Sequence, residues 1–169
     1  MPSTTSSLTQ QVQQLIADYP LATLISMDTG QCTPLPLLYE TDSRWPLGRL
    51  AGHSDRRNPH TETLLREGEV HALFTGESRY ISPTRYPSMR LPSWHYEQVQ
   101  LRGKVHALRT QDDLRHLLMR TTRFLERHNN PPFTLSENHD YMNRLLDHIF
   151  GFYIEIRHWE ARIKHPVKT

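Results

Sequence analysis

The chain has 169 residues, and a single core at that length buries roughly 70% of the unfolded surface. Lys and Arg number 20 against 18 Asp and Glu, a formal net charge of +2, so there is no basic stripe of the kind that marks a dedicated nucleic-acid binder. Cys32 is alone, which excludes an internal disulfide and a cysteine zinc cluster.

The opening MPSTTSSLTQQVQQ lacks the basic head and apolar run of a signal peptide, and no stretch reaches the length that crosses a bilayer. A soluble, cytoplasmic protein without membrane association is the expectation. No internal repeat is visible, so residues 1–169 are read as one domain whose first six residues fray.

Leu8, Val12, Leu15 and Ile16 recur at helical spacing, and Ser7 with Gln10 three residues on reads as a capping box, so a helix is predicted from about residue 7 to Asp18. Tyr19-Pro20 stops it. Leu21 to Met27 reads as a strand, Asp28-Thr29-Gly30 as a hairpin turn, and Gln31-Cys32 as the start of a second strand running to Tyr39. Pro34 and Pro36 make that second strand an edge or a bulged one. A third strand spans Trp45 to His53. Pro59 suits the first turn of a short helix through Leu64 and Leu65, ended by Gly68.

Val70, Ala72 and Phe74 alternate with His71 and Leu73, and Val99, Leu101, Val105 and Ala107 alternate with polar residues, so both runs are strands with one buried face. Gly103 marks a bulge or a close backbone approach. Leu114, Leu117, Leu118, Thr121 and Leu125 lay an apolar stripe on a helix capped by Thr110, and Asn129-Asn130-Pro131-Pro132 breaks it. A last helix from about His139 to His148 carries Tyr141, Leu145 and Ile149, and Phe152, Ile154 and Ile156 alternate in a final strand. The class is therefore α+β, with mostly antiparallel strands, peripheral helices and a helical insertion at 110–148. Many short strands with hairpin signals suit a closed or partly closed barrel, which removes exposed edges.

Two segments carry chemistry. Tyr80 to Tyr96, YISPTRYPSMRLPSWHY, reads as a proline-stiffened loop whose Tyr80, Tyr86, Trp94 and Tyr96 offer flat faces with polar tips, with Ser82 among the interleaved hydroxyls. Such a loop either caps the core or holds a planar heteroaromatic ring. His53-Ser54-Asp55-Arg56-Arg57-Asn58 lies between a strand end and a helix start, where guanidinium groups and free helix N–H groups meet. Spacing leaves open whether the two arginines hold a phosphate monoester or are a solvated connection. No histidine pair shows metal-ligand spacing, and neither a nucleophile elbow nor a Walker loop occurs. A lone strand cysteine such as Cys32 reads as a small packing residue.

These segments also resemble a known family, the PaiB-type FMN-binding negative transcriptional regulators, relatives of the flavin split barrels that include pyridoxamine phosphate oxidase. Tyr80, Ile81, Ser82, Pro83, Tyr86, Pro87 and Ser88, then Pro92, Trp94 and Tyr96, match the family's YISPSWYPSK and VPTWNY. Residues 52–59 are similar to its GHLARANP, Phe74-Thr75-Gly76 to its FTG, and residues 151–156 to its GFEIEI. The likeness runs from about Pro34 to Glu160. It implies a split β-barrel binding FMN at the interface of a homodimer, with the ring near the proline-aromatic loop and the phosphate at Arg56, flanked by His53 and Asn58. It also implies a regulator of transcription or a flavin-dependent oxidoreductase, with DNA as a partner that the charge does not support. Relatives of this fold that handle haem supply the alternative, although no proximal histidine stands out. Arg85, Met89 and His95 depart from the family pattern, as does the C-terminal segment from Ile163, and these departures imply weaker flavin binding.

Overall fold

A computed structural model describes residues 8–85, 91–136 and 140–163. Helix α1 (Gln10–Asp18) begins at Thr9, whose hydroxyl accepts from Val12 N at 3.4 Å, rather than at Ser7, which lies outside the described residues. Its buried stripe is Val12, Leu15 and Ile16. Strand β1 (Leu21–Ser26) then turns through Gly30, at φ 69°, into β2 (Cys32–Pro36).

The predicted second strand is in fact two. β2 ends at Pro36, and β3 (Leu38–Asp42) starts after the single residue Leu37, whose N–H donates to Pro20 O at 2.9 Å. Pro34 and Pro36 lack the N–H that a continuous ladder requires, so the chain changes partners where they stop. β4 (Trp45–Asp55) follows, and α2 (Pro59–Glu67) then starts with proline in its first turn and ends at Gly68, φ 73°, as the sequence predicts. β5 (Glu69–Ile81) and β6 (Ser93–Ala107) are longer than their apolar alternation. Tyr80, Trp94 and Tyr96 therefore stand on strands, and the loop between is shorter than read. α3 (Gln111–Leu125) is capped by Thr110 as predicted, and α4 (Asp140–Leu145) precedes β7 (Ile149–Ile163). In α4 the packed residue is Met142, with Leu146 just beyond, while Tyr141 is exposed.

The seven strands among the described residues form one antiparallel sheet in the order β2-β1-β5-β6-β7-β4-β3. Its two edge strands, β2 and β3, are the two joined by Leu37. One intervening residue holds Pro36 and Leu38 within about 7 Å, so the sheet must curl until its edges meet there. The result is a barrel closed at that joint and split elsewhere, in agreement with the predicted class. Leu37 is fully buried, and its Cδ2 occupies the space where a Cβ on Gly52 would stand.

Inside the barrel, Leu24, Leu50, Phe74, Val99, Leu101, Phe152 and Ile154 form the main core. Truncating a buried phenylalanine such as Phe152 costs about 3–5 kcal/mol in cores of this kind. Leu15 of α1 lies against Gly76 far along β5, so α1 closes one end of the barrel. α2 closes the other, next to the end of β1 and the end of β4. A second cluster, with Leu38, Ala51, Leu114, Leu117, Met142 and Leu146, seats α3 and α4 on the outer face of β3, β4 and β7. Gly103 sits at the register shift of β6 against β7, and a Cβ there would meet Glu155 O, so the predicted bulge is also a close approach.

Candidate functional site

β4 ends at Asp55, and Asn58 N donates to Asp55 O at 3.0 Å, closing a turn whose central residues are Arg56 and Arg57. Arg56 N donates to His148 O at 2.9 Å, which ties the front of the turn to the residue preceding β7. The two arginines differ. Arg57 Nη2 donates to Asp55 Oδ2 at 2.8 Å and its backbone N to Asp55 Oδ1 at 2.8 Å, and these bonds lower the carboxyl to about 2. The Arg56 side chain is exposed and makes no hydrogen bond or ion pair with the described residues. One cation at the turn is thus neutralised locally, and one is left for an external anion.

Behind the turn, Asn58 caps α2, its Oδ1 accepting from His60 N at 3.0 Å. Beneath the helix start lies a polar cluster that the sequence analysis did not identify. His60, 1% exposed, has Nε2 at 2.8 Å from Ser26 Oγ and Nδ1 at 2.9 Å from Thr33 Oγ1. Asn58 Nδ2 reaches the same Thr33 hydroxyl at 3.5 Å. Ser54 Oγ lies 2.8 Å from Thr61 Oγ1, which donates to Asp55 O at 3.0 Å. The available signal was alternation: Ser26 follows Leu24 on the inward face of β1, and Ser54 follows Leu50 and Gly52 on that of β4.

His53 faces the other way, sharing the outer side of β4 with Ala51. Burial lowers its pKa from the usual 6.5, and its Nδ1 is buried with no partner among the described residues.

The aromatic segment stands apart. Tyr80 pairs with Trp94 across β5 and β6, with ring centroids 6.0 Å apart and planes at 51°. Both are more than half exposed, at 54% and 55%. Trp94 Nε1 donates to Ser78 Oγ at 2.7 Å, and Ser82 Oγ is engaged with Thr84 Oγ1 at 2.5 Å. His95, by contrast, is buried, and Arg85 is exposed. Tyr86 and Met89 lie outside the described residues. Cys32, expected to pack, is exposed on the edge strand β2.

The chain therefore gathers His53, Arg56 and Asn58 at one corner, and Tyr80, Ser82 and Trp94 at another. Ala107 of β6 pairs with Phe152, which pairs with Gly52 beside the first corner, while Trp94 starts the same strand. From Trp94 to Ala107 is about 40 Å of strand. Within one copy the two groups do not meet.

Comparison with known proteins settles the family. The family described as "Putative FMN-binding domain" matches residues 2–158. The chain belongs to this FMN-binding family. Its cofactor is accordingly FMN, and the fold is the flavin split barrel. The chain is 23% identical over 158 residues to "Protease synthase and sporulation protein PAI 2" of Bacillus subtilis, covering 92% of this chain and 75% of that protein. Among solved structures it resembles one described as a putative 5-nitroimidazole antibiotic resistance protein from Bacteroides thetaiotaomicron, with TM-score 0.65, 18% identity, and 91% and 82% of the two chains covered. It also resembles the flavocytochrome Anf3 of Azotobacter vinelandii, with TM-score 0.67, 14% identity, and 94% and 68% covered. At these identities the likeness to solved structures concerns the fold. No helix among the described residues is long and apolar enough to cross a membrane.

Proposed function

We propose that two copies of this chain bind FMN between them, each site taking its phosphate anchor from one copy and its aromatic wall from the other. The observation that carries this reading is the separation just described. Arg56 offers an unpaired guanidinium beside a helix N-terminus, the chemistry a phosphate monoester needs, and Tyr80 and Trp94 offer exposed ring faces, the chemistry an isoalloxazine needs. The residues fit the cofactor, but they lie at opposite ends of β6. A two-fold pair that sets the long strands of the copies antiparallel brings the aromatic end of one to the Arg56 corner of the other.

When bound, FMN supplies hydride or electron transfer, and the chain supplies position and electrostatics. Arg56 holds the phosphate, Asn58 fixes the helix start behind it, and His53 shapes the strand end. Tyr80, Trp94 and Ser82 orient the ring. Flavin binding serves an oxidoreductase and a flavin-responsive regulator of transcription alike. A net charge of +2 favours the first, and a DNA mobility shift that fades with added salt would favour the second.

Calorimetric titration with FMN and with riboflavin, run beside light scattering, tests the reading. A dimer that binds FMN about ten- to a hundredfold tighter than riboflavin is expected, because a charge-assisted phosphate contact contributes about 1.5–3 kcal/mol. Equal affinities would remove the phosphate anchor, and flavin binding by a stable monomer would remove the shared site. Since Arg85 and His95 depart from the family pattern, flavin should be lost in purification and restored by addition.

A further inference from the structure

The turn that presents Arg56 is held from both sides. In front, Asp55 is paired with Ile149 of β7 and Arg56 N bonds His148 O. Behind, the cap residue Asn58 is tied through Thr33 Oγ1 to the ring of His60, and His60 is tied in turn to Ser26 on β1. One buried imidazole thereby joins the start of α2 to both strands of the β1–β2 hairpin, which lies far from it in sequence. A hydrophobic residue would fill the same space and link none of them, and a polar side chain buried to 1% exposure is retained at a cost unless its partners are met.

We infer that His60 is a positioning residue for phosphate recognition, acting through Thr33 and Asn58 to fix the turn from which Arg56 reaches out. This inference rests on the reading of Arg56 as the phosphate anchor. Each ring nitrogen of His60 faces a hydroxyl, and a hydroxyl both donates and accepts, so either imidazole tautomer can complete the chain of bonds. Thr33 is the element that couples the chain to the site: its hydroxyl is shared by His60 Nδ1 and Asn58 Nδ2. When it is removed, the Asn58 side chain loses its link to β2, and the turn holding Arg56 is fixed only in front and by Thr61. Thr61 holds the backbone at both ends of the turn, its Oγ1 donating to Asp55 O at 3.0 Å and its N to Asn58 O at 2.9 Å, and leaves the Asn58 amide to Thr33.

The test compares the ratio of riboflavin to FMN dissociation constants in the full-length protein and in three variants. Thr33→Val keeps the shape of a partly exposed strand residue and removes the hydroxyl; Thr33→Ser keeps the hydroxyl; His60→Ala removes the imidazole. Loss of one hydrogen bond in the chain should reduce the preference for FMN about three- to tenfold in Thr33→Val, with riboflavin affinity unchanged. Thr33→Ser should restore the preference. His60→Ala should match or exceed the valine variant wherever circular dichroism shows it folded, and Thr33→Val decides the matter if it is not. A merely structural role would lower the melting temperature, or weaken both ligands together, and leave the ratio alone. An unchanged ratio in Thr33→Val, in a protein whose Arg56→Ala variant does lose the FMN preference, overturns the inference and leaves the anchor standing. A wild-type protein that does not prefer FMN overturns the anchor and this inference with it.

Discussion

At the scale of single residues, what separates Arg56 from Arg57 is a carboxylate. Adjacent in sequence and both exposed, the two differ because Arg57 closes on Asp55 while Arg56 points free of the described residues. Asp55 titrates at about 2, so this pair is intact from neutral pH down to about pH 4, and Arg57 is not released in any ordinary buffer. Arg56→Ala should therefore weaken FMN about ten- to a hundredfold, whereas Arg57→Ala should change it by less than about twofold, both read by calorimetric titration. A larger effect at Arg57 would mean that the clamp opens for the ligand. His53 carries a second residue-scale expectation. Burial holds its pKa below the usual 6.5, so the folded protein keeps it neutral while the unfolded chain takes up a proton as pH drops past that value. Its contribution is complete above pH 6.5 and is lost as pH falls toward the folded pKa. His71, lowered chiefly by burial, adds in the same direction. The melting temperature should fall from pH 7.5 to pH 5, and His53→Gln should make that fall shallower in differential scanning calorimetry; a slope unaltered by the substitution would place the imidazole in water.

At the scale of elements, the closure of the barrel depends on one joint. Leu37 links the two sheet edges and lies where a side chain on Gly52 would be, so Gly52→Ala must push Leu37 out of its seat. A cost of about 1–3 kcal/mol is expected, seen as a lower urea midpoint with an unchanged slope. No loss of stability would mean that the edges tolerate separation. The joint also shows where sequence reading reaches its limit. α2 was legible at both ends because Pro59 and Gly68 act locally, and so was the start of α3 at Thr110. The break at Leu37 was not legible, because it follows from which strands pair across the barrel, a non-local fact. β5 and β6 were read too short for the same reason: Ser78, Arg79 and Tyr80 have no apolar alternation, and only their pairing with residues 94–96 makes them strand. In α4 the Tyr141, Leu145 spacing is as helical as that of Met142 and Leu146. Only the position of α3 decides which face is buried.

At the scale of the whole molecule, the residues at 53–58 and 80–94 suggest chemistry by themselves, and only the family resemblance joined them as one site. Sequence order brings them close, and the sheet carries them to opposite ends of β6. The buried cluster around His60 was missed because its members come from three segments and each, taken singly, is an ordinary polar residue. The central claim is that a second copy of the chain completes each flavin site, and complementation tests it most directly. Arg56→Ala and Trp94→Ala each damage every site when expressed alone. In a mixed dimer of the two variants, one site carries both lesions and the other carries neither. Calorimetric titration of the purified mixed dimer with FMN should recover wild-type affinity at half the wild-type stoichiometry. Recovery of no high-affinity site, in a mixed dimer confirmed by mass, would show that each chain holds its flavin alone and would contradict the account.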